Sequence, residues 1–211
     1  MRPGHETAVW QAASLLLDYP DARWAGRLPL LRRVVGALPS SSGESLGRFL
    51  AHLDVTPLTD LAADYVATFD HRRRCCPYLT YYAYGDTRKR GMALLRFKHA
   101  YRAAGVVLDD GELPDHLAVV LEFAATVDPR AGRRLLVEHR AGLEVLRLAL
   151  TEDGSAWAAV LDAVSATLPA LDGEGRDAVL RLAAAGPPGE EVGLAPYGAF
   201  LPDPRLREAQ P

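Results

Sequence analysis

The chain has 211 residues, of which 49% are hydrophobic and 24% are charged, and its formal net charge is −3. This length and composition are typical of a soluble globular protein with one substantial core. The near-neutral charge gives no global basis for binding nucleic acid or an anionic membrane, so we expect no nucleic-acid partner.

Apolar residues recur at helical spacing nearly everywhere, and the period-two alternation typical of strands is missing, so the sequence predicts an all-α fold. Pro20 ends the first predicted helix, Pro29 kinks or delays the second, and Pro57 begins the fourth. A Ser-Ser-Ser-Gly run at residues 40–43 is predicted to be a loop. The predicted helices before residue 70 cover residues 6–19, 24–38, 44–53 and 58–69.

A connector follows at residues 70–85. It contains Pro77 and a tyrosine-rich run made of Tyr78, Tyr81, Tyr82 and Tyr84. Tyrosine has an apolar ring and a polar tip, which suits half-buried positions. We therefore predict an ordered connector packed on the domain, and such a surface could equally receive a peptide.

Two predicted helix starts of opposite charge follow the connector. Asp86 and Thr87 are predicted to cap a helix whose first turn is basic and whose end is marked by Gly105. Pro114 suits a first helical position, which would place Asp115 in a first turn, where the helix dipole favours an anion. The predicted helices cover residues 87–104, 114–127, 129–150, 156–168 and 174–185.

Charge is distributed unevenly around these two helix starts. Residues 72–102 carry nine Lys and Arg side chains against the single acid Asp86, whereas residues 106–128 carry six acids and no Lys or Arg. Two solvated helix faces that attract each other would explain this pattern, and so would a binding surface.

The composition changes after Gly186, where proline and glycine become frequent. We predict a compact single-domain helical bundle over residues 1–185 and a flexible or surface-docked Pro/Gly-rich tail over residues 186–211. Within the tail, residues 196–201 are apolar enough to dock onto a surface.

No catalytic motif is found in the sequence. A phosphate-binding Gly-rich loop, a Gly-x-Ser-x-Gly elbow and a His-Glu-x-x-His pair are all missing. Asp115, His116 and Glu122 could form an acid–base group, although a helix-terminal role for Asp115 and a hydrogen-bonding role for His116 explain those residues as well. We therefore predict that the protein is not an enzyme.

The two cysteines, Cys75 and Cys76, are adjacent, which excludes a disulfide framework. With His71 they supply three metal ligands, but a tetrahedral zinc site needs a fourth, and neighbouring cysteines rarely point at one metal. We predict no bound metal and no resident cofactor.

The apolar stretch at residues 12–17 has neither the basic start nor the small-residue cleavage site of a signal peptide. No run in the chain approaches the roughly eighteen uninterrupted apolar residues of a membrane-spanning helix. We expect a cytoplasmic protein without direct membrane insertion.

Clustered guanidinium groups bind phosphate in a bidentate manner, so the basic runs could hold a phosphorylated cofactor. Solvated surface side chains are the alternative explanation. The residues concerned are Arg72, Arg73 and Arg74, and in the second run Arg88 and Arg90.

Several short motifs follow one another along the chain. They are Tyr65-Val66-Ala67-Thr68-Phe69-Asp70, Tyr84-Gly85-Asp86-Thr87-Arg88-Lys89-Arg90-Gly91, Glu112-Leu113-Pro114-Asp115-His116-Leu117 and Leu121-Glu122-Phe123. In these motifs, and over residues 8–171, the chain resembles the NarJ-type nitrate reductase assembly chaperones, also called delta chains, which are redox-enzyme maturation proteins. Tyr84 replaces a histidine that is frequent in the family, and Cys75 and Cys76 replace small polar residues, which leaves redox sensitivity open.

The resemblance implies an all-helical chaperone that is not part of the finished reductase. Its expected partner is the apo catalytic, molybdenum-containing subunit of nitrate reductase, whose N-terminal segment it binds and holds in the cytoplasm for molybdenum cofactor insertion before membrane docking. Proteins of molybdenum cofactor biosynthesis are further expected partners.

The resemblance and the residue chemistry together predict a client-binding group. Its members are Tyr65, Phe69, Asp70, Asp115, His116, Leu117 and Glu122. In the alternative function, the chain is a carrier that binds the guanine-dinucleotide molybdenum cofactor directly through the five arginines of the two basic runs.

Overall fold

Helices account for nearly all regular structure in the computed structural model, which describes residues 3–109 and 111–186. The predicted tail lies outside these residues from 187 onward. An isolated bridge pairs Tyr78 with His116, and the described segments contain no strand. The all-α prediction is therefore confirmed. The α-helices are α1 Pro3–Leu16, α2 Arg23–Gly36, α3 Ser40–Val55, α4 Leu58–Tyr65, α5 Tyr81–Tyr84, α6 Arg88–Ala103, α7 Leu117–Thr126, α8 Pro129–Glu138, α9 Arg140–Glu152, α10 Ala158–Ser165 and α11 Gly173–Ala185.

The centre of the bundle is formed by α1, which packs along α7 and against α10. Two tryptophans are buried there, and each polar tip has a partner. The indole nitrogen of Trp10 donates to Thr167 Oγ1 at 2.8 Å, and that of Trp157 donates to the carbonyl of Leu16 at 3.1 Å. These bonds tie α1 to both ends of α10.

Helices α7 and α8 approach each other closely at a glycine. A Cβ atom built on Gly132 of α8 would lie 2.3 Å from Ala124 Cβ and 2.4 Å from Ala124 Cα. Only glycine fits at this contact, because Ala124 belongs to α7 and would meet the new carbon partly with its backbone.

The prediction of a loop at residues 40–43 is wrong, because α3 begins at Ser40. Pro39 precedes the helix with an extended backbone, and its carbonyl accepts a hydrogen bond from Gly43 N at 2.8 Å. Ser42 and Ser45 are buried. Small polar residues after a proline therefore start this helix instead of forming a turn.

The prediction of a single helix over residues 129–150 is also wrong, because the helix is interrupted at His139, between α8 and α9. The break lets α9 pack against the tyrosine-rich connector: a Cβ on Gly142 would lie 2.9 Å from the carbonyl oxygen of Leu79. Apolar periodicity runs through His139 without a breaker, so no local pattern indicates the turn.

The predicted helix over residues 58–69 is found as α4 followed by one turn of π-helix, Val66–Asp70. A 3₁₀ turn, Arg73–Cys75, begins the connector. Tyr81 and Tyr82 are buried, as expected for an ordered connector packed on the domain. Gly105 follows α6 with φ +80°, in agreement with its predicted role as the stop of that helix.

Candidate functional site

The basic and acidic helix starts meet at one pair of side chains. Arg90 Nη2 of α6 lies 3.7 Å from Asp115 Oδ2, in the turn that precedes α7. Thr80 joins the pair: its backbone N–H and its hydroxyl donate to Asp115 Oδ2 at 3.1 and 2.6 Å, and its hydroxyl accepts from Arg90 Nε at 3.2 Å. Two motifs separated along the chain therefore form one polar cluster.

The expectation that Asp115 lies in the first turn of a helix is wrong, because α7 begins only at Leu117. Asp115 is completely buried, and its Oδ1 and the Nη2 of Arg90 have no hydrogen-bond partner among the described residues. A buried carboxylate is costly to bring out of water unless a cation and hydrogen bonds compensate for its charge. The negative charge of Asp115 is thus balanced by the connector and α6, not by a helix dipole.

The predicted caps of α6 also have other partners. Thr87 Oγ1 donates backwards to the carbonyl of Tyr84 at 2.8 Å, and Asp86 Oδ1 accepts from Arg90 Nη1 at 2.7 Å. Arg90 is further flanked by the rings of Tyr78 and Tyr81, whose centroids lie 5.3 and 5.8 Å from its Cζ. The guanidinium of Arg90 is therefore held by charge, hydrogen bonds and aromatic faces at once.

Backbone hydrogen bonds fix the turn around Asp115. The N–H of Leu79 donates to the Asp115 carbonyl at 3.0 Å, and the N–H of Leu117 donates to the Pro77 carbonyl at 2.9 Å. This short antiparallel pairing locks the connector to the start of α7, so that the side chain between the two bonds has a defined position.

His116 lies between these two backbone hydrogen bonds. It is half-buried, and its ring lies 5.2 Å from the Tyr78 ring in an edge-on arrangement. Burial lowers the pKa of His116 below 6.5, although Asp115 and Asp18 act in the opposite direction. The imidazole is therefore mainly neutral near pH 7 and presents both a donor and an acceptor nitrogen.

A cluster of aromatic rings lies near Asp18, the acid that also acts on His116. Tyr65 contacts Phe69, Trp157 and Tyr19, with ring centroids 4.8, 5.7 and 5.5 Å apart, respectively. The Tyr65 hydroxyl donates to the Leu17 carbonyl at 3.0 Å. The first three rings are buried, whereas Tyr19 is 47% exposed and covers the edge of the cluster.

Two acidic side chains, Asp18 and Asp70, act on this cluster, and Asp18 also lies 3.7 Å from Arg27 Nη1. Burial raises the pKa of Tyr65 above its usual value, and the charges of Asp18 and Asp70 raise it further. Asp18 also acts on His116. We call the four residues Asp18, Tyr19, Asp70 and His116 the acidic-aromatic surface.

The predicted client-binding residues divide into two groups in the structure. Asp70 and Glu122 are exposed, and His116 is half-buried. The other four side chains are internal and support the surface from below: Tyr65, Phe69, Asp115 and Leu117. Sequence reasoning missed Asp18 and Tyr19, which follow α1 and carry no motif, and Thr80, whose role depends on a residue far along the chain.

The cations proposed for an anionic ligand are largely paired with carboxylates. Arg72 and Arg74 both bind Asp153, and Arg74 also contacts Glu152 at 3.3 Å. The hydrogen bond from Arg74, with those from Arg72 and Cys75, lowers the pKa of Asp153 to about 2. Arg90 contacts Asp86 and Asp115. Within the described residues no ion pair is found for the remaining two, Arg73 and Arg88.

The adjacent cysteines are held as thiols by burial. Burial raises the pKa of Cys75 and of Cys76 to about 11, so both remain protonated near neutral pH. Cys75 is buried and its Sγ lies 3.5 Å from Asp153 Oδ2. Residues 3–109 and 111–186 contain no group of three or more His, Cys, Asp or Glu side chains placed to hold a metal ion.

None of the helices in residues 3–109 and 111–186 combines the length and the apolar character needed to cross a bilayer.

Comparison with known proteins gives one family. The family model described as nitrate reductase delta subunit matches residues 36–163. The chain is 46% identical over 160 residues to the nitrate reductase-like protein NarX of Mycobacterium tuberculosis, and this match covers 75% of the chain but only 24% of NarX. The chain thus spans about a quarter of that relative.

Two chaperones are similar over a larger share of their length. The probable nitrate reductase molybdenum cofactor assembly chaperone NarJ of Bacillus subtilis is 31% identical over 161 residues, covering 76% of this chain and 88% of that protein. NarJ of Escherichia coli K12 is 30% identical over 152 residues, covering 71% of this chain and 64% of that protein.

A solved structure supports the fold. A crystal structure of a protein from Archaeoglobus fulgidus, proposed to be a redox enzyme maturation protein, superposes with a TM-score of 0.57 at 23% identity, covering 76% of this chain and 92% of that one. The family predicted from the motifs is therefore confirmed: the chain belongs to the nitrate reductase delta subunit family, whose members include the NarJ-type assembly chaperones.

Proposed function

We propose that this protein is a cytoplasmic assembly chaperone for a nitrate reductase. It binds the N-terminal segment of the apo catalytic subunit and keeps that subunit competent for molybdenum cofactor insertion before membrane docking. The family supports this class of function, because two relatives are named molybdenum cofactor assembly chaperones. Binding an unfinished subunit requires a recognition surface, not catalytic groups, so the proposal includes no enzymatic step.

The observation that carries the binding site is the acidic-aromatic surface. Tyr19 offers an exposed ring, Asp18 and Asp70 add negative charge beside it, and His116 supplies hydrogen-bonding nitrogens. An amphipathic helix with a basic side fits this chemistry, because its apolar face covers the ring while its cations approach the carboxylates.

The buried residues of the predicted client group have a supporting part in this proposal. Asp115 with Arg90 and Thr80 fixes the turn that carries His116, and Tyr65 with Phe69 backs the Tyr19 ring. A preformed surface loses less conformational entropy on binding than a flexible one. We therefore assign direct contact to the acidic-aromatic surface and positioning to the residues beneath it.

The alternative function, direct binding of the guanine-dinucleotide molybdenum cofactor, has less support than client binding. Arg72, Arg74 and Arg90 each contact a carboxylate, which reduces the positive potential that a pyrophosphate would meet. Proteins of molybdenum cofactor biosynthesis remain proposed partners of the chaperone–client complex, since cofactor insertion requires a supplier.

Co-purification tests the proposed class of function. The tagged chain is co-expressed with the catalytic subunit of a nitrate reductase from the same genome, in full-length form and without its N-terminal segment. We expect the full-length subunit to be captured in its apo form and the truncated subunit to be lost. Capture that does not depend on the N-terminal segment, or no capture at all, would contradict the proposal.

A further inference from the structure

The outward face of α6 carries two large apolar side chains among its basic residues. Of its sixteen residues only Ala93, Phe97 and Tyr101 are buried. Met92 is 69% exposed and Leu95 is 54% exposed, so two large apolar side chains lie close together in contact with water. Isolated exposed apolar residues are ordinary, but neighbouring ones at helical spacing mark an interaction surface.

These side chains border a groove between α6 and α8. From α6 the lining residues include Met92, Leu95, Arg96 and His99, and from α8 they include Arg134 and Leu135. The volume of the groove is about 570 Å³. On α6 the lining residues recur three or four positions apart from Met92 to Ala103. This distance is three helical turns, or roughly 16 Å of helix axis.

The shape of the groove fits a helix. Ala100, Ala103 and Ala131 also line it, and their small side chains let a third backbone approach closely. Helix pairs commonly take a third helix along such a channel, with larger side chains inserted between the ridges. A bilayer presents a flat surface, which matches a concave channel less well.

The charge of the groove indicates what kind of helix it takes. Helix α6 carries six Lys and Arg residues and no Asp or Glu. Arg96 and Arg134 line the groove itself. Of the two acids there, Asp128 caps α8 by accepting from two backbone N–H groups, at 3.0 and 2.9 Å, which leaves Glu138 as the exposed carboxylate. The four charged side chains of the lining balance formally, and the positive charge comes from the rest of α6, whose exposed cations are matched by no acid on that helix. The surroundings of the groove are therefore basic, in contrast to the acidic-aromatic surface.

We propose that the α6–α8 groove binds an acidic amphipathic helix of a partner protein. Its apolar residues, spaced three and four apart, cover Met92 and Leu95, and its carboxylates pair with Arg96 and Arg134. The groove shares no residue with the acidic-aromatic surface. The chain thus carries two surfaces of opposite charge and can hold two different segments at the same time, whatever the identity of its client.

Fluorescence anisotropy with a defined probe tests this site on the full chain. The probe is a labelled Leu/Glu/Ala peptide of about four helical turns with leucines on one face, and its twin carries lysine in place of every glutamate. We expect saturable binding of the acidic peptide and at least about tenfold weaker binding of the basic twin, because like charges at an interface are repelled.

A matched pair of variants locates the binding. Leu95→Glu with Arg96→Glu places two acids in the groove, whereas Leu180→Glu with Arg181→Glu makes the same change on α11, where Leu180 is also exposed. All four side chains point to solvent, so both variants should fold, and circular dichroism checks this. We expect a loss of about tenfold or more in the first variant only, since it removes an apolar anchor and reverses a charge.

Several results would overturn the proposal. They are no saturable binding of the acidic peptide, equal binding of the basic twin, or an equal loss in both variants. Sedimentation with vesicles containing anionic lipid, and sedimentation velocity of the protein alone, cover the other occupants. Vesicle binding or self-association that the groove variant abolishes, without peptide binding, would assign the groove to a membrane or to a second copy of the chain.

Discussion

Asp115 connects the two sequence motifs at the level of single residues. Its carboxylate is buried and depends on Thr80 and Arg90, yet one oxygen lacks a hydrogen-bond partner in the described structure. Such a partly compensated charge specifies one arrangement of the turn, because any other arrangement would leave the carboxylate without donors.

The substitution Asp115→Asn tests this role of the charge. The asparagine side chain keeps the size of the aspartate and the acceptor for Thr80, but it leaves Arg90 with Asp86 as its remaining anion. We expect a loss of about 1–3 kcal/mol in the free energy of unfolding, which is the usual cost of an unsatisfied buried group. Urea denaturation measures it.

The matched control is Asp86→Asn, since the Asp86 side chain is 47% exposed and also contacts Arg90. Exposed ion pairs contribute about 1 kcal/mol or less. If both variants lost the same stability, the buried pair would have no special role in the fold.

His116 makes stability depend on pH. Because burial lowers its pKa in the folded state, the unfolded chain takes up the proton first as the pH falls. Its favourable contribution is therefore present above about pH 6.5 and is lost as the pH falls through the lowered folded-state value. Asp115 and Asp18 reduce this effect without reversing it.

Urea midpoints at about pH 7.5 and about pH 5.5 measure this contribution. We expect the decrease at the lower pH to be smaller in His116→Gln than in the wild type. His139, whose pKa burial also lowers, is present in both proteins and cancels in the comparison. An unchanged decrease in the variant would show that His116 is not the group responsible.

At the level of elements, the contact between α7 and α8 is the most demanding. Gly132→Ala would place a carbon 2.3 Å from Ala124 Cβ, so the helices must separate. We expect destabilisation by about 1–3 kcal/mol, which is typical of an overpacked core. Thermal and urea unfolding both report it.

The control variant Gly91→Ala is expected to raise the free energy of unfolding in the same assays. Gly91 lies in α6 with nothing within 4 Å of the added carbon. Alanine in an open helical position stabilises by about 0.5–1 kcal/mol, because the unfolded chain loses freedom. Destabilisation of the Gly91 variant as large as that of the Gly132 variant would mean that the close approach of α7 and α8 is not the cause.

Most of the longer helices were predictable, because they bury apolar residues that repeat at helical spacing. The four-residue α5 was not, since it lies within the predicted connector. The start of α3 was missed, since the serines after Pro39 were interpreted as a turn although they begin a helix. The break at His139 was missed because its cause, the close contact of Gly142 with the connector, is tertiary.

The candidate site was predictable only in part. The two charged helix starts were expected to form a common surface, and Arg90 and Asp115 do meet. Periodicity could not show that Tyr65, Phe69 and Leu117 face inward, since an aromatic or aliphatic residue can serve a core or a binding surface equally well. Tyr19 has no local signal at all, because its position depends on the contact of its ring with Tyr65 at the end of α4.

For the whole molecule, the arrangement of charge is the feature that links fold and function. The acidic-aromatic surface lies at the end of α1, the π-turn and the start of α7, whereas the groove beside the basic helix α6 lies between α6 and α8. In the proposed function, the first surface holds a basic leader, and the inferred groove binds a second partner at the same time.

The most direct test of the central claim is calorimetric titration with a synthetic leader peptide of the catalytic subunit. We predict that Tyr19→Ala with Asp70→Lys weakens binding by about tenfold or more, as expected for loss of an aromatic anchor and a charge. The matched control, Leu180→Ala with Asp177→Lys on α11, should bind like the wild type. Equal affinity of all three proteins would contradict the account, because the leader would then bind elsewhere or not at all.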